Sequence, residues 1–354
     1  MYYLYNSPLY RADLQRLIND KSVFEDLAGK RILITGATGL IGSFLVDVLS
    51  VWNSLTIDKA RKIQIYAGGR SCSKLEQRFS GAPEHQSICF VPFDLNNEFE
   101  INFEVDYVIH AASNAYPAAF SKDPVGTIIS NIAGTYRLLN YAYINHVERF
   151  MFLSTGEVYG QGDIACRGFS ELDSGYLNPM ETRSCYPSAK RTAETLCASY
   201  QKQYGVNTVV ARPCHIYGPN VTPMDNRATV QFVKNAVSGQ NIVLKSKGEQ
   251  IRSYCYIADC VSAVLTILSR GQSGQAYNIA NRNSVVSIAE FAQYVAQEVG
   301  VAVVFQLPAE QEKAEQTPIT RAVLSAEKLE KLGWSGRYDI TTGIHHTVEI
   351  MRRN

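Results

Sequence analysis

RILITGATGLIG, residues 31–42, is the stretch on which the fold of this chain turns. Arg31–Thr35 is a short β-prone run. Gly36, Gly39 and Gly42 follow, and apolar residues then continue through Leu49. Glycines so placed between a strand and a helix permit a tight turn, let backbone N–H groups approach a pyrophosphate, and let the helix pack on the strand. The helix start adds partial positive charge. Gly36, Thr38, Gly39, Leu40, Ile41 and Gly42 are therefore candidate contacts to a dinucleotide.

Outward from this loop, residues 31–212 alternate short β-branched runs with helix-period segments, which is the pattern of βαβ units and a parallel sheet. The candidate strands are Arg31–Thr35, Lys62–Tyr66, Ile88–Val91, Asp106–His110, Arg149–Ser154 and Asn207–Ala211. The fold class is α/β, a doubly wound parallel Rossmann sheet. Asp123-Pro124 reads as a helix start, and Ile128, Ile132, Tyr136, Leu139 and Tyr143 carry that helix to about Asn145. After Arg212 the elements shorten: NIVLK (241–245), RSYCYI (252–257), a helix opened by Asp259, and QAYNIA (275–280). Ser287 and Glu290 form a capping box before another helix. We therefore divide the chain into an N-terminal extension (1–30), a dinucleotide-binding domain (31–212) and a smaller, mainly substrate-binding α+β domain (213–354). Residues 1–30 carry one amphipathic stretch and no recognisable chemistry, and 308–318 read as a polar surface loop.

Composition narrows the function. Among 354 residues, 34 basic side chains nearly cancel 33 acidic ones, leaving a formal charge of +1. No long-range field then draws in a nucleic acid or an anionic membrane, so phosphate binding is local. No apolar run approaches a spanning helix, and the first residues lack the order of a signal peptide, so we expect a cytoplasmic protein. Eight cysteines without C-x-x-C spacing point to packing thiols in a reducing compartment, with no metal site.

Dinucleotide folds that take NAD usually carry an acid about 20 residues past the glycines, on the adenosine ribose. Here the second strand runs into Gly68-Gly69-Arg70-Ser71, and no Asp or Glu lies between Asp58 and Glu76. Arg70 can pair with a 2′-phosphate, which leans the cofactor, NAD or NADP, toward NADP. Asp94, with Leu95 beside it, follows the third strand as a candidate adenine contact or else a polar loop residue. Ala111, Ala112 and Ser113 follow the fourth, where they face the dinucleotide. Tyr186-Pro187-Ser188-Ala189-Lys190 starts a helix with Tyr186 and Lys190 one turn apart on a face, an arrangement in which an ammonium favours the phenolate and so makes the tyrosine a base.

GATGLIG, STGEVYG (154–160), YPSAK and RPCHIYGP (212–219) closely resemble the extended short-chain dehydrogenase/reductases that modify nucleotide sugars, from about residue 31 to the end of the chain. Within that group, NPMETRSCYPSAKRTAETL (178–196), TPMDNR (222–227) and QIRSYCYIAD (250–259) look most like the UDP-glucuronate decarboxylases. The resemblance implies that Thr155 hydrogen-bonds the sugar hydroxyl at carbon 4, that Tyr186 removes its proton, and that Lys190 holds the nicotinamide ribose. Glu157 and Arg252 fall on an active-site glutamate and arginine. Asn131 falls on a cofactor-supporting position, Asn114 and Tyr116 on a sugar-facing loop, and Arg227 on a substrate contact. The helices near 124–145 and 186–204 correspond to those that pair across a two-fold, which implies a homodimer.

Two departures bear on the reaction. Gly156 stands where 4,6-dehydratases carry an aspartate and decarboxylases a serine, and ASNAYPAAF (112–120) differs from the decarboxylases' proline-rich loop. The expected reaction is decarboxylation of a nucleotide uronic acid. Epimerisation and dehydration share its first step, and a catalytically silent dinucleotide-binding protein is the alternative of another class.

Overall fold

The structure, a computed structural model, describes residues 3–97, 99–113, 115–162, 168–306 and 319–352. β1 (Arg31–Thr35) lies inside a seven-stranded sheet between β2 (Gln64–Gly69) and β4 (Tyr107–His110). β3 (Ile88–Pro92) is one edge. β5 (Arg149–Leu153), β6 (Thr208–Pro213) and a Gln275–Ile279 strand continue the other way. Every pairing in this sheet is parallel. The chain runs outward from β1 through β2 to β3, then crosses back to β4. The strand order thus reverses at β1 and β4, and a crevice opens beyond their C-terminal ends. The inner strands β1, β4, β5 and β6 are buried on both faces, as their near-continuous apolar sequences require.

Several strand ends shift by one or two residues from the sequence reading, and two differences bear on the site. β2 starts at Gln64, not Lys62, because Lys62 closes a 3₁₀ turn and the Ile63 N–H bonds the Asn53 side chain at 2.8 Å. The strand therefore reaches Gly69 and leaves Arg70 just past its end. The Gln275–Ile279 strand, read as part of the smaller domain, instead pairs with β6 from Gln275↔Val209 to Ile279↔Pro213. The second half of the chain thus contributes a strand to the seven-stranded sheet.

The smaller lobe is built on an Ile251–Tyr256 strand, antiparallel to Val285–Ser287 and parallel to His215–Tyr217 and Arg321–Ala322. The capping box forms with both bonds present, and the helix that it opens runs Ile288–Val299. The Pro124–Ile144 helix begins at Asp123, whose carboxylate accepts the Gly126 N–H at 2.9 Å. Asp259 does not open its helix, which runs Ile257–Arg270. Its buried carboxylate turns away and accepts the N–H groups of Arg337 and Tyr338, both at 2.9 Å. Residues 308–318 lie outside the described residues.

The N-terminal extension packs as helices over both halves, against the Leu40–Leu55 helix and the Ile340–Arg352 helix. Its buried tyrosines reach into the dinucleotide-binding half. Tyr5 donates to Asp47 at 2.5 Å and Tyr10 donates to the other oxygen of that carboxylate. Arg78 completes the cluster through Nη1 on the Tyr5 hydroxyl (2.8 Å) and Nη2 on Asp47 (2.5 Å). Asp13 reaches the other half, accepting from Tyr256 (2.6 Å) and Tyr338 (2.8 Å) and meeting His346 Nδ1 at 2.9 Å.

Candidate active site

The glycine turn sits on the crevice. Gly36 has φ +69°, and a side chain there would meet the Ala112 Cα at 2.7 Å and the Ala111 carbonyl at 2.8 Å. Only glycine fits this close crossing of two backbones. The turn closes through Gly39 N–H on the Gly36 carbonyl (2.9 Å), and the Leu40–Leu55 helix begins directly after Gly39. Its free N–H groups face the cavity, in the arrangement that suits a pyrophosphate.

The cavity, about 1030 Å³, runs from this turn along the strand ends to the smaller lobe. It is larger than one small ligand needs, which fits a dinucleotide lying end to end with a second substrate. Gly36, Thr38, Gly39, Leu40, Ile41, Gly42, Arg70, Asp94, Leu95, Ala111, Ala112 and Ser113 line it at the cofactor end. Arg70 stands there with Lys74, whose N–H is capped by the Ser71 hydroxyl. Asn131 does not line the cavity. It is buried behind the wall and accepts from the Ser113 hydroxyl at 3.1 Å, so it supports a lining residue. Asn114 lies outside the described residues.

At the other end Tyr116, Thr155, Glu157, Tyr186, Lys190, Arg227 and Arg252 line the same space. Thr155 follows β5 and caps a 3₁₀ turn, Gly156–Tyr159, by accepting the Glu157 N–H at 3.2 Å. Its side chain also hydrogen-bonds the Tyr186 phenol. Tyr186 and Lys190 lie in the first turns of the Cys185–Tyr204 helix. Lys190 is buried, donates to the Leu153 carbonyl at 2.8 Å and lies over the Phe152 ring at 4.5 Å. Desolvation pulls its ammonium down to about 7.

The tyrosine's electrostatics differ from the simple lysine-assisted expectation. Burial foremost, and the Glu157 carboxylate next, hold the Tyr186 phenol above its ordinary value, while Thr155, Arg227 and Arg183 oppose them. Lys190 Nζ is 5.9 Å from the ring centroid and gives one of its donors to the backbone. Arg252 is buried with its guanidinium on two carbonyls, Ile251 (3.0 Å) and Ile319 (2.6 Å). Arg227 is held in a fork by Asp225, with Nε at 3.0 Å from Oδ1 and Nη2 at 2.7 Å from Oδ2. Gly156 backs onto Leu324, whose Cδ1 would lie 3.1 Å from an added Cβ, so a serine or aspartate there would displace that leucine.

Two lining residues escaped the sequence reading. Phe120 stacks on the Tyr186 ring with centroids 4.5 Å apart and planes 16° apart. Arg183 lies over Phe120 (4.9 Å) and pairs with Glu157, with Nη2 at 3.1 and 2.9 Å from the two carboxylate oxygens. Arg183 stands three positions ahead of the helix-start tyrosine, inside a stretch already quoted for its resemblance, but no local rule assigns it chemistry.

Comparison with known proteins finds relatives along most of the chain. UDP-glucuronic acid decarboxylase 6 of Arabidopsis thaliana is 31% identical over 314 residues, 89% of this chain and 86% of that protein. UDP-glucuronic acid decarboxylase 1 of Xenopus tropicalis is 30% identical over 333 residues, 92% of this chain and 72% of that one. A solved UDP-glucuronic acid 4-epimerase from Bacillus cereus superposes with a TM-score of 0.77 at 20% identity, covering 91% of this chain and 99% of that one, and shares the fold. The profile of the NAD dependent epimerase/dehydratase family matches residues 32–280, from the first strand through the seventh. With a glycine turn built for a dinucleotide and relatives aligned along most of its length, the chain belongs to the NAD dependent epimerase/dehydratase family.

Proposed function

We propose that this chain decarboxylates a nucleotide-linked uronic acid through transient oxidation at sugar carbon 4. The observation that carries the reading is the gathering of Thr155, Glu157, Tyr186, Lys190 and Arg252 around one cavity that continues into the glycine turn. The decarboxylase relatives support the same substrate class.

The residues divide the work by chemistry. Thr155 donates to the carbon-4 oxygen and Tyr186 takes its proton. The dinucleotide, when bound, accepts the carbon-4 hydride and later returns it. Lys190 anchors the nicotinamide ribose. The ketone at carbon 4 is then beta to the carboxylate on carbon 5, so the carbon–carbon bond pair can move toward the ketone oxygen as carbon dioxide leaves. Thr155 and Tyr186 stabilise that enolate charge, a proton from water takes the place of the carboxylate at carbon 5, and Tyr186 gives its proton back to the carbon-4 oxygen as the hydride returns. Arg252, desolvated at the cavity wall, supplies the positive charge that holds the carboxylate. Arg227 serves the diphosphate.

Three finer readings belong here. Arg70 and Lys74 beside an acid-free strand end favour NADP, since a 2′-phosphate finds two cations and no carboxylate partner for a ribose hydroxyl. Val125, Ile129, Tyr136 and Tyr143 on one helix and Tyr204 on its neighbour are exposed apolar side chains on packed helices, which supports a homodimer through that face. No helix among the described residues is long and apolar enough to cross a membrane, and unpaired thiols suit a cytoplasmic location.

The test is mass analysis of products from nucleotide uronates and neutral nucleotide hexoses, with Arg252→Ala beside the native protein. Loss of carbon dioxide from a uronate, sharply impaired by Arg252→Ala, is the expected result. Conversion of a neutral hexose with uronates untouched would overturn the decarboxylase reading and favour epimerisation, which needs the same first step without the carboxylate.

A further inference from the structure

The catalytic end of the cavity holds an arrangement that the proton transfer outlined above does not explain. A carboxylate, Glu157, stands close enough to oppose ionisation of the very phenol that must become negative. Arg183 engages that carboxylate with a single nitrogen, at 3.1 and 2.9 Å from its two oxygens. The guanidinium plane also rests on Phe120, and Phe120 stacks on Tyr186. Cation, ring and phenol therefore form one stack beside the strand-end carboxylate.

We propose that Arg183 is a positioning residue for the base: it neutralises and pins Glu157, and through Phe120 it fixes the plane in which the Tyr186 phenol meets the substrate hydroxyl. This rests on the reading of Tyr186 as the proton acceptor.

The surrounding charges single out Arg183. Thr155 and Glu157 face the phenol from the end of β5, Phe120 from the Pro117–Lys122 helix, Arg183 from the 3₁₀ turn at Thr182–Ser184, Arg227 from the turn before the Ala228–Val237 helix, and Cys185 and Lys190 from the tyrosine's own helix. Arg227 already has its charge matched by Asp225 in a fork. Lys190 gives one donor to the Leu153 carbonyl, its Nζ stands 5.9 Å from the phenol ring's centroid, and burial lets it lose its proton near neutrality. Arg183 is thus the cation paired with the carboxylate that opposes the phenolate. Without it, an unmatched negative charge would face the developing negative charge in a partly desolvated wall, where like charges repel most strongly.

The experiment reads the pH dependence of the first step, formation of reduced nicotinamide in a single turnover of the cofactor-loaded protein, on whichever nucleotide sugar it oxidises. That step precedes every branch of the reaction. In Arg183→Gln the acidic limb is expected to move up by about one pH unit, with the rate near neutrality down about tenfold and recovering at high pH. Arg183→Lys, which keeps the charge, should restore most of the limb. Adding Glu157→Gln to Arg183→Gln should return the limb toward its native position even if the rate stays low. A merely structural role would lower the rate equally at every pH. An unmoved limb, or one that stays displaced after Glu157→Gln, would overturn the proposal. If Arg183→Gln fails to fold, Glu157→Gln alone serves, and its limb must then fall below the native one. Absence of cofactor reduction with every sugar would instead overturn the oxidation reading itself, and with it the base that Arg183 serves.

Discussion

Asp47→Ala is the most exposing perturbation of this structure, because it removes the one carboxylate under a buried guanidinium. Asp47 and Arg78 are both buried, at 0% and 2% side-chain exposure, and Asp47 also receives the Tyr5 and Tyr10 hydroxyls. Removing one member of a buried ion pair and leaving the other uncompensated costs about 3–5 kcal/mol. An unfolding entropy of about 2.1 cal/mol/K per residue over 354 residues gives about 0.7 kcal/mol per degree, so the main transition should fall by about 4–7 °C. Tyr10→Phe removes one donor from a carboxylate that keeps Arg78 and Tyr5, and should cost only about 1 kcal/mol. Differential scanning calorimetry measures both. Limited proteolysis adds a local readout, because the tyrosines are what fasten residues 3–27 to the sheet-flanking helix, so cleavage there should quicken in Asp47→Ala before the core opens. A fall of less than 1 °C, or a cleavage rate equal to the native one, would refute the claim that this cluster fastens the extension.

Two further outcomes follow from the cofactor cavity. Burial drags the Lys190 ammonium down to about 7 from an ordinary lysine value; the unfolded chain therefore holds the proton more readily between about pH 7 and 10, and stability should rise with pH across that window. Lys190→Met should flatten the slope and be the more stable protein at pH 7 and below, though inactive; denaturant titrations at a series of pH values that show equal slopes would refute it. Arg70→Ala should weaken NADP(H) more than NAD(H) in calorimetric titration, by about tenfold if one charge-assisted contact is lost. Equal losses for both would mean that Arg70 does not read a 2′-phosphate.

Local chemistry was legible in the sequence, and long-range pairing was not. The glycine turn, the Asp123 helix start, the capping box and the Tyr186–Lys190 turn each declare themselves within a few residues, and each took its expected form. Arg183 and Phe120 did not, because their meaning lies in a stack between an irregular turn and a short helix. Asp259 looked like a helix start and proved to be an acceptor for N–H groups nearly eighty residues later, a choice that only tertiary packing could make. The Gln275–Ile279 strand was recognised as a strand, but nothing within it says that its partner is β6. Residues 1–30 declare no chemistry locally because the side-chain hydrogen bonds of Tyr5, Tyr10 and Asp13 reach partners far along the chain.

The reach of Asp13 orders events on the ribosome. Its partners lie 243, 325 and 333 residues downstream, at Tyr256, Tyr338 and His346. The Pro8–Ile18 helix is therefore completed late, since its carboxylate, bound for burial, gathers its partners only as Tyr256, Tyr338 and His346 are made. The glycine turn and its strands can assemble as they are made, while the leading segment waits for the trailing one. A chain cut before Tyr338 keeps only Tyr256 for that carboxylate, and so presents a half-satisfied acidic helix to the cell's quality control.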